Sequence, residues 1–273
     1  MLIWKRNTDD PLMRHFLDRY YIHLLAQPRE GVAVGDLYVQ DGKQVSSPGS
    51  VVYFLEPPLE MPPLNAGEVL ADVSGMLSNA VSANAGLGLL DTFLAALGAA
   101  GIVSKLRAAF ETKKASAVRF RFASATRDSV DPMQLGSKLI RHKIIEDHPL
   151  YDDDSHYYLV TAVVRTPNIS IVAQSDSSTA VDLGVEAMQL GSADTGVTVE
   201  KMQGGEVTFK GKKSLAFGVQ LYELSYDQKR KKLKFKLPPG LVKVRSAAAG
   251  GSKQILTPAF IGGEDDDVFL EVV

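Results

Sequence analysis

Residues 179–222, TAVDLGVEAMQLGSADTGVTVEKMQGGEVTFKGKKSLAFGVQLY, constrain the fold more than any other stretch of this chain. Val181, Leu183, Val185 and Ala187 alternate with Asp182, Gly184, Glu186 and Met188. Val197 and Val199 precede Gly204-Gly205, then Val207 and Phe209; Leu215, Phe217, Val219 and Leu221 alternate with Ala216, Gly218, Gln220 and Tyr222. Period-two alternation broken by glycine turns predicts three strands of an antiparallel meander. No catalytic motif interrupts them, so the question becomes what a sheet can do.

The remaining pattern agrees with a sheet-rich α+β domain. Residues 32–55 predict two strands around the Asp41-Gly42 turn. A strand is expected over 68–81, followed by an apolar helix to about Phe110. In Val118-Arg119-Phe120-Arg121-Phe122 the apolar residues take one face and the arginines the other. Residues 157–164 and 169–173 read as strands bent at Pro167-Asn168. Residues 10–26 predict an amphipathic helix, with Asp10 as cap and Pro11 in the first turn. It lies on the sheet, or meets lipid through Arg14 and Arg19. Residues 132–146 read as a further helix.

Composition narrows the chemistry. The 45% apolar and 23% charged content suits a globular protein, and the net charge of −2 gives no bias toward nucleic acid. With no cysteine, disulfides and thiolate sites are excluded. The four apolar residues before Lys5-Arg6 are too few for a secretory signal, so a cytoplasmic start is expected. Residues 87–103 fall short of the ~20 apolar residues of a spanning helix and contain Asp91, so a buried helix is expected. His142, His148 and His156 lie near Asp147, Asp152, Asp153 and Asp154 without ligand-motif spacing, and a solvated acidic loop accounts for them. Ser74-Gly75 is not part of a G-x-S-x-G elbow. Gly86-Leu87-Gly88 lacks the third glycine of a dinucleotide fingerprint. No enzyme activity and no cofactor or metal are expected.

Several runs, taken in order, resemble one family. After the N-terminal helix come Pro28-Arg29 and Val32-x-Val34-Gly35-Asp36-Leu37-Tyr38-Val39. Next is EVLADVSGMLSNAV at 68–81, with its Val73-Ser74-Gly75 core. Last is the excursion GSADTGVTVEKMQGGEVTFKGKK leading into SLAFGVQLYEL. These runs resemble the early strand, the first membrane-inserting strand and the late strands of the gasdermin pore-forming domain, in its bacterial form. The resemblance implies a twisted, mainly antiparallel sheet packed by helices. It implies an inactive cytoplasmic monomer that a protease cuts near its C-terminus. The product assembles as a homo-oligomer in the inner (plasma) membrane and causes cell death in anti-phage defence. Bacterial members typically acylate a cysteine near the N-terminus; this chain has none to acylate. The alternative is a non-enzymatic binding or assembly module with a basic strand surface.

The resemblance and the strand lengths together set the expected sites. A membrane-crossing strand needs about 9 to 11 residues. Strands 68–81 with 116–126, and 157–172 with 179–190, are the expected hairpins. Their lipid-facing residues are Val69, Ala71, Val73, Leu77, Val118, Phe120 and Phe122 in the first, and Leu159, Val163, Val181, Leu183 and Val185 in the second. Between Gln228 and Gly263 stand nine basic residues and no acidic one. Lys232, Lys234 and Lys236 share one strand face, which is either a solvated edge or a contact for anionic lipid headgroups. The main domain is expected to span residues 1–245 and a linker with an inhibitory tail residues 246–273. Cleavage falls among Arg245, Ser246, Ala247, Ala248, Ala249, Gly250, Gly251, Ser252 and Lys253, a small-residue stretch suited to proteolysis. Ile255, Leu256, Phe260, Ile261, Phe269 and Leu270 then hold the tail to the body. An activating protease, membrane lipids and further copies of the chain are the expected partners, with no nucleic acid.

Overall fold

The computed structural model describes residues 11–41, 44–71, 73–78, 88–97, 100–112, 114–152, 155–175, 177, 179–182, 197–201, 206–227 and 229–236. The first half runs α1 (Pro11–Tyr20), β1 (His23–Arg29), β2 (Asp36–Asp41), β3 (Gln44–Ser50), β4 (Leu55–Glu56), β5 (Asn65–Val69), β6 (Val73–Ser78), α2 (Gly88–Ala96) and α3 (Ala100–Glu111). The second half runs β7 (Ala117–Ala123), β8 (Thr126–Ser129), α4 (Pro132–Leu139), β9 (Lys143–Ile144), β10 (His156–Gln174), β11 (Val197–Lys201), β12 (Glu206–Asp227) and β13 (Lys232–Lys236).

Two long strands organise the sheet. β10 has 19 residues and β12 has 22, and they pair antiparallel from Tyr157↔Leu224 to Val172↔Glu206. Around them the described residues form an 11-stranded sheet. β1, β11 and β13 join β12; β2, β7 and β8 join β10; β3 adds to β2, β5 to β8 and β6 to β7. All of the pairings are antiparallel. The separate β4–β9 pair is two residues long.

The helices lie on one face of the sheet. α1, α2 and α3 place Phe16, Phe93, Leu94, Ile102 and Leu106 in a cluster with Leu24, Phe120, Phe122, Phe209 and Phe217. Here the Phe122 and Phe217 rings stack at 4.2 Å. α4 places Leu135 and Leu139 in a second cluster on the same side, with Leu37, Val39, Tyr157 and Leu224. Asp131 caps α4 by accepting from the N–H groups of Met133 and Gln134 (2.8 and 3.2 Å), with Pro132 in the first turn. The opposite face carries a third buried cluster that includes Leu25, Tyr38, Tyr158, Val160, Val163, Val219 and Leu221, with no helix residue among the described residues.

Three sequence expectations change. The helix expected over 10–26 ends at Tyr20, because Tyr21 turns into the left-handed region (φ 54) and β1 follows. Leu24 and Leu25 are consecutive and both buried, one on each sheet face, and this mimics helical spacing. The strand expected over 68–81 is two strands, β5 and β6, the first on β8 and the second on β7. The helix reading to Phe110 holds as two helices, α2 and α3. The helix expected over 132–146 stops at Leu139, and β9 follows.

β12 also continues through Lys210-Gly211-Lys212-Lys213, which the sequence suggested as a break between strands. The irregularity is absorbed as a register shift opposite Thr166–Asn168 of β10, where Pro167-Asn168 predicted a bend.

Phe217 is fully buried against Phe122 and Phe16. Phe217→Ala is expected to lower unfolding free energy by about 3–5 kcal/mol, read as a fall in the urea midpoint.

Candidate membrane-inserting sheet

β6, β7, β10 and β12 form one wall in continuous register. Val73, Phe122, Ile169 and Phe209 make one row across it, and Gly75, Phe120, Ile171 and Val207 make another. Between these two apolar rows lie Ser74, Arg121, Ser170 and Thr208. Beyond the second comes Met76, Arg119, Val172 and Glu206. Directly paired residues share a face and successive residues alternate. One face is therefore aliphatic and aromatic; the other is mixed, carrying the hydroxyls and the charges together with Met76 and Val172. Arg119 and Arg121 are exposed, while Val118, Phe120 and Phe122 are buried under the helices.

Two excursions leave this wall from the same end. Residues 79–116, which include α2 and α3, connect β6 to β7. Residues 175–205, which include β11, connect β10 to β12.

α1 lies against the outer side of β6. The Tyr20 hydroxyl donates to the Ser74 carbonyl oxygen (3.0 Å) and accepts from the Ser74 N–H (3.3 Å). His15 Nε2 stands 3.1 Å from the same carbonyl oxygen, so that nitrogen carries the proton in this contact. The His15 ring also meets Phe120 edge-on at 5.7 Å. This approach needs glycine at 75, where a Cβ would fall 2.2 Å from Phe120 Cζ and 2.5 Å from His15 Nε2. Sequence reasoning missed this contact, and Gly75 in an otherwise regular strand was its one local sign.

β5 and β8 are tied by carboxylates. Arg127 donates to Glu68 Oε2 through two nitrogens (3.0 and 2.7 Å). Asp128 accepts from the Gly67 N–H (2.8 Å) and lies 3.4 Å from Arg165 Nε, whose Nη2 donates to the Val32 carbonyl oxygen.

The expected lipid-facing residues divide. Val73, Val118, Phe120 and Phe122 share the apolar face, and the Leu77 backbone pairs with Val118 in the same register. Val69 is 79% exposed and Ala71 is exposed, so neither belongs to that face. The chain steps from β8 to β7 between β5 and β6, with Leu70 N–H donating to the Ala125 carbonyl oxygen opposite the Ser124 kink (φ 54). Leu159 and Val163 fall on opposite faces in different clusters, because the register shift between Val160 and Ala162 inverts the alternation. They pack in the body, beside β2 and β8, not in the wall. In the second expected hairpin, Val181 N–H donates to the Ala173 carbonyl oxygen and Gln174 bridges Ala180. Val181 packs against the helix-side cluster, while Leu183 and Val185 lie outside the described residues.

The basic positions are also partly compensated. Arg19 is exposed over the Tyr20 ring at 5.7 Å. Arg14 lies on α1. On β13, Lys232 and Lys234 are exposed and Leu233 is buried between them. The Lys236 backbone pairs with Glu223 of β12. Lys234 pairs with Asp227 at 3.2 Å, and Lys231 pairs with Glu146. The three histidines of the acidic loop are engaged separately: His142 Nδ1 with the Pro57 carbonyl oxygen (2.6 Å), His148 Nδ1 with the Leu150 N–H (3.2 Å), and His156 beside Glu223 (3.5 Å). The cleavage stretch, from Arg245 to Lys253, and every tail residue from Ile255 to Leu270 lie outside the described residues.

Comparison with known proteins assigns the family. Residues 25–231 match the Bacterial Gasdermin Family, and the chain belongs to it. The family is pore-forming and non-enzymatic. The chain is 27% identical over 243 residues to the gasdermin bGSDM of Vitiosangium sp. (strain GDMCC 1.1324), covering 86% of this chain and 89% of that protein. It is 24% identical to the gasdermin bGSDM of Lysobacter enzymogenes, over 81% of this chain and 82% of that one. In fold it is similar to the solved bacterial gasdermin from Bradyrhizobium tropiciagri, with a TM-score of 0.58 and 21% identity over 82% of this chain and 89% of that chain. No described helix is long and apolar enough to cross a membrane, which says nothing of strands.

The β13 ion pairs carry a pH signature. A hydrogen bond from Lys231, then one from Tyr226, holds Glu146 below its usual carboxylate range; the Arg230 N–H, then Lys234, does the same for Asp227. Groups depressed in the folded state stabilise it fully above their unfolded pKa, and that contribution is lost as pH falls through the folded one. Amide exchange in β13, corrected for intrinsic rate, is therefore expected to quicken as pH drops below about 4. Amides in the centre of β10 should not follow.

Proposed function

We propose that this chain is a protease-activated pore former of bacterial cells. It is held as a cytoplasmic monomer by its C-terminal segment and assembles in the inner membrane once that segment is cut, in defence against phage. The four-stranded wall carries this reading. β6 has six residues and β7 seven, short of the roughly 9–11 that a crossing strand needs. Crossing therefore draws residues of the 79–116 and 175–205 excursions into longer hairpins. The wall's two faces set their orientation. An arginine turned to lipid costs about 2–4 kcal/mol at the bilayer midplane. Val118, Phe120 and Phe122 consequently meet lipid, while Arg119 and Arg121 meet water. Open edges cannot stand in hydrocarbon, so the wall closes only as a ring of many copies.

The sheet face opposite the helices suits the tail. Its apolar cluster is buried with no helix residue among its members, Tyr38 and Val160 being fully covered. Val32 and its neighbour Val34 supply part of the cover. We assign the rest to Ile255, Leu256, Phe260, Ile261, Phe269 and Leu270. Each contributes about 1.5–3 kcal/mol on burial, which offsets the entropy of ordering the segment. While tethered the tail rebinds at high effective concentration; cut among residues 245–253, it diffuses away. Asp265, Asp266 and Asp267 leave with it, and the basic β13 face then favours anionic headgroups. The activating protease recognises either the basic Arg245 or Lys253 or the small residues between them.

An engineered protease site between Arg245 and Lys253 tests the reading. Cutting is expected to release dye from anionic liposomes and to yield large oligomers, while uncut protein stays monomeric. A cut protein that stays monomeric and releases nothing refutes the mechanism. Replacing Lys232, Lys234 and Lys236 together by glutamate is expected to weaken liposome binding of the cut form, as added salt weakens the wild type. Unchanged binding would leave the stripe as a solvated edge.

A further inference from the structure

We propose that α1 caps the outer edge of β6 (Val73–Ser78) in the monomer, through Tyr20 and His15, and must leave that edge before the wall can close on a second copy. The proposal rests on the pore reading and names the edge through which assembly proceeds.

In an antiparallel pair, a residue turns both its N–H and its C=O either toward its partner strand or away from it. At Ser74 both groups engage the Tyr20 hydroxyl, and His15 adds a second contact to the carbonyl oxygen. These groups therefore point off the side of β6 that faces away from β7. Among the described residues no strand pairs with that side. A hydroxyl that donates and accepts at one residue does what a neighbouring strand would do there. Protein edges left bare recruit other strands, and covering them is a common protection. α1 is such a cover, seated closely because residue 75 has no side chain.

The occupant that replaces α1 is a second copy. The wall ends at β6 on one side and continues through β12 and β11 on the other, so the two ends differ. Joining unlike edges is a head-to-tail contact, the kind that propagates into rings. In hydrocarbon every backbone group of the edge must be paired. A single helix reaching Ser74 through two side chains cannot serve the whole edge, whereas a strand of another copy can. α1 must therefore leave β6 before or as the next copy binds.

Two substitutions act on this edge in opposite directions. Tyr20→Phe removes the capping hydroxyl and keeps the ring. Ser74→Pro removes an N–H on the outer side of an edge strand, where proline is tolerated, and leaves the β7 pairing intact. Both weaken the α1 contact in the monomer, so a purely structural role predicts the same direction for both. With tail-cut protein on anionic liposomes, Tyr20→Phe is expected to shorten the lag before dye release at least two-fold. Ser74→Pro, folded by circular dichroism, is expected to reduce oligomer yield ten-fold or more. His15→Ala serves as a second uncapping variant if Tyr20→Phe does not fold, and carries the same expectation. The edge assignment is overturned if the uncapped and proline variants shift in the same direction, or if both match wild type while wild type forms pores. Failure of cut wild-type protein to form any pore would instead overturn the pore reading.

Discussion

The antiparallel pairing of β10 with β12 is the constraint on which the rest of the structure depends. It runs from Tyr157↔Leu224 in the body to Val172↔Glu206 in the wall. Every other strand of the large sheet joins one of these two directly or through one intermediate. Three register shifts, near Val160, Val164 and Thr166, divide the pair into segments whose inward faces differ. That division lets one strand bury both Val160 and Val163 on the helix-free face, three residues apart, then settle into regular alternation from Ile169 to Ala173. The irregular half holds a fixed body. The regular half forms a wall with two wholly apolar rows on one face and the arginines on the other.

The wall's apolar face is covered by elements that are themselves modest. α2 has nine residues and α3 twelve, lengths at which isolated helices are marginal in water. Their stability comes from Phe93, Leu94, Ile102 and Leu106 packing on the sheet. The dependence is mutual, since Phe120, Phe122 and Phe209 would otherwise face water. A cover that is stable only while docked can be lost cooperatively, without unfolding the β10–β12 body. Its loss would expose the apolar rows that the proposed pore turns to lipid.

Much of this was legible in the sequence where one face of a strand is buried and the other exposed. Val118 to Phe122 reads directly as buried and exposed in turn, and β7 has that pattern. Alternation fails where both faces are buried. Leu24 and Leu25 gave a helical spacing that belongs to β1, and Leu159 and Val163 gave one face where a bulge makes two. A long expected strand also hides breaks imposed from across the sheet, as at Leu70, whose amide donates to the Ala125 carbonyl oxygen. The α1–β6 contact was illegible, because its partners are 54 and 59 residues apart and one of them is a backbone carbonyl. Only Gly75, spending a side-chain position on close approach, marked it.

Period two also explains how one sequence can serve two solvents. Moving a strand from water to lipid by changing its register would turn every side chain over. The wall needs no such change. Val73, Phe122, Ile169 and Phe209 already share a row, as do Ser74, Arg121, Ser170 and Thr208. What differs between the two settings is the cover on the apolar rows: helices in this state, acyl chains in the proposed one. The arginines fix the sense of the exchange, because the face that holds them is the costly one to bury. In the proposed pore the register is kept, so the sheet's own hydrogen bonds would not be the barrier. On that proposal the barrier is the release of the covers, α2 and α3 from the apolar face and α1 from the β6 edge. The contacts made by Tyr20 and His15, few as they are, would then govern assembly.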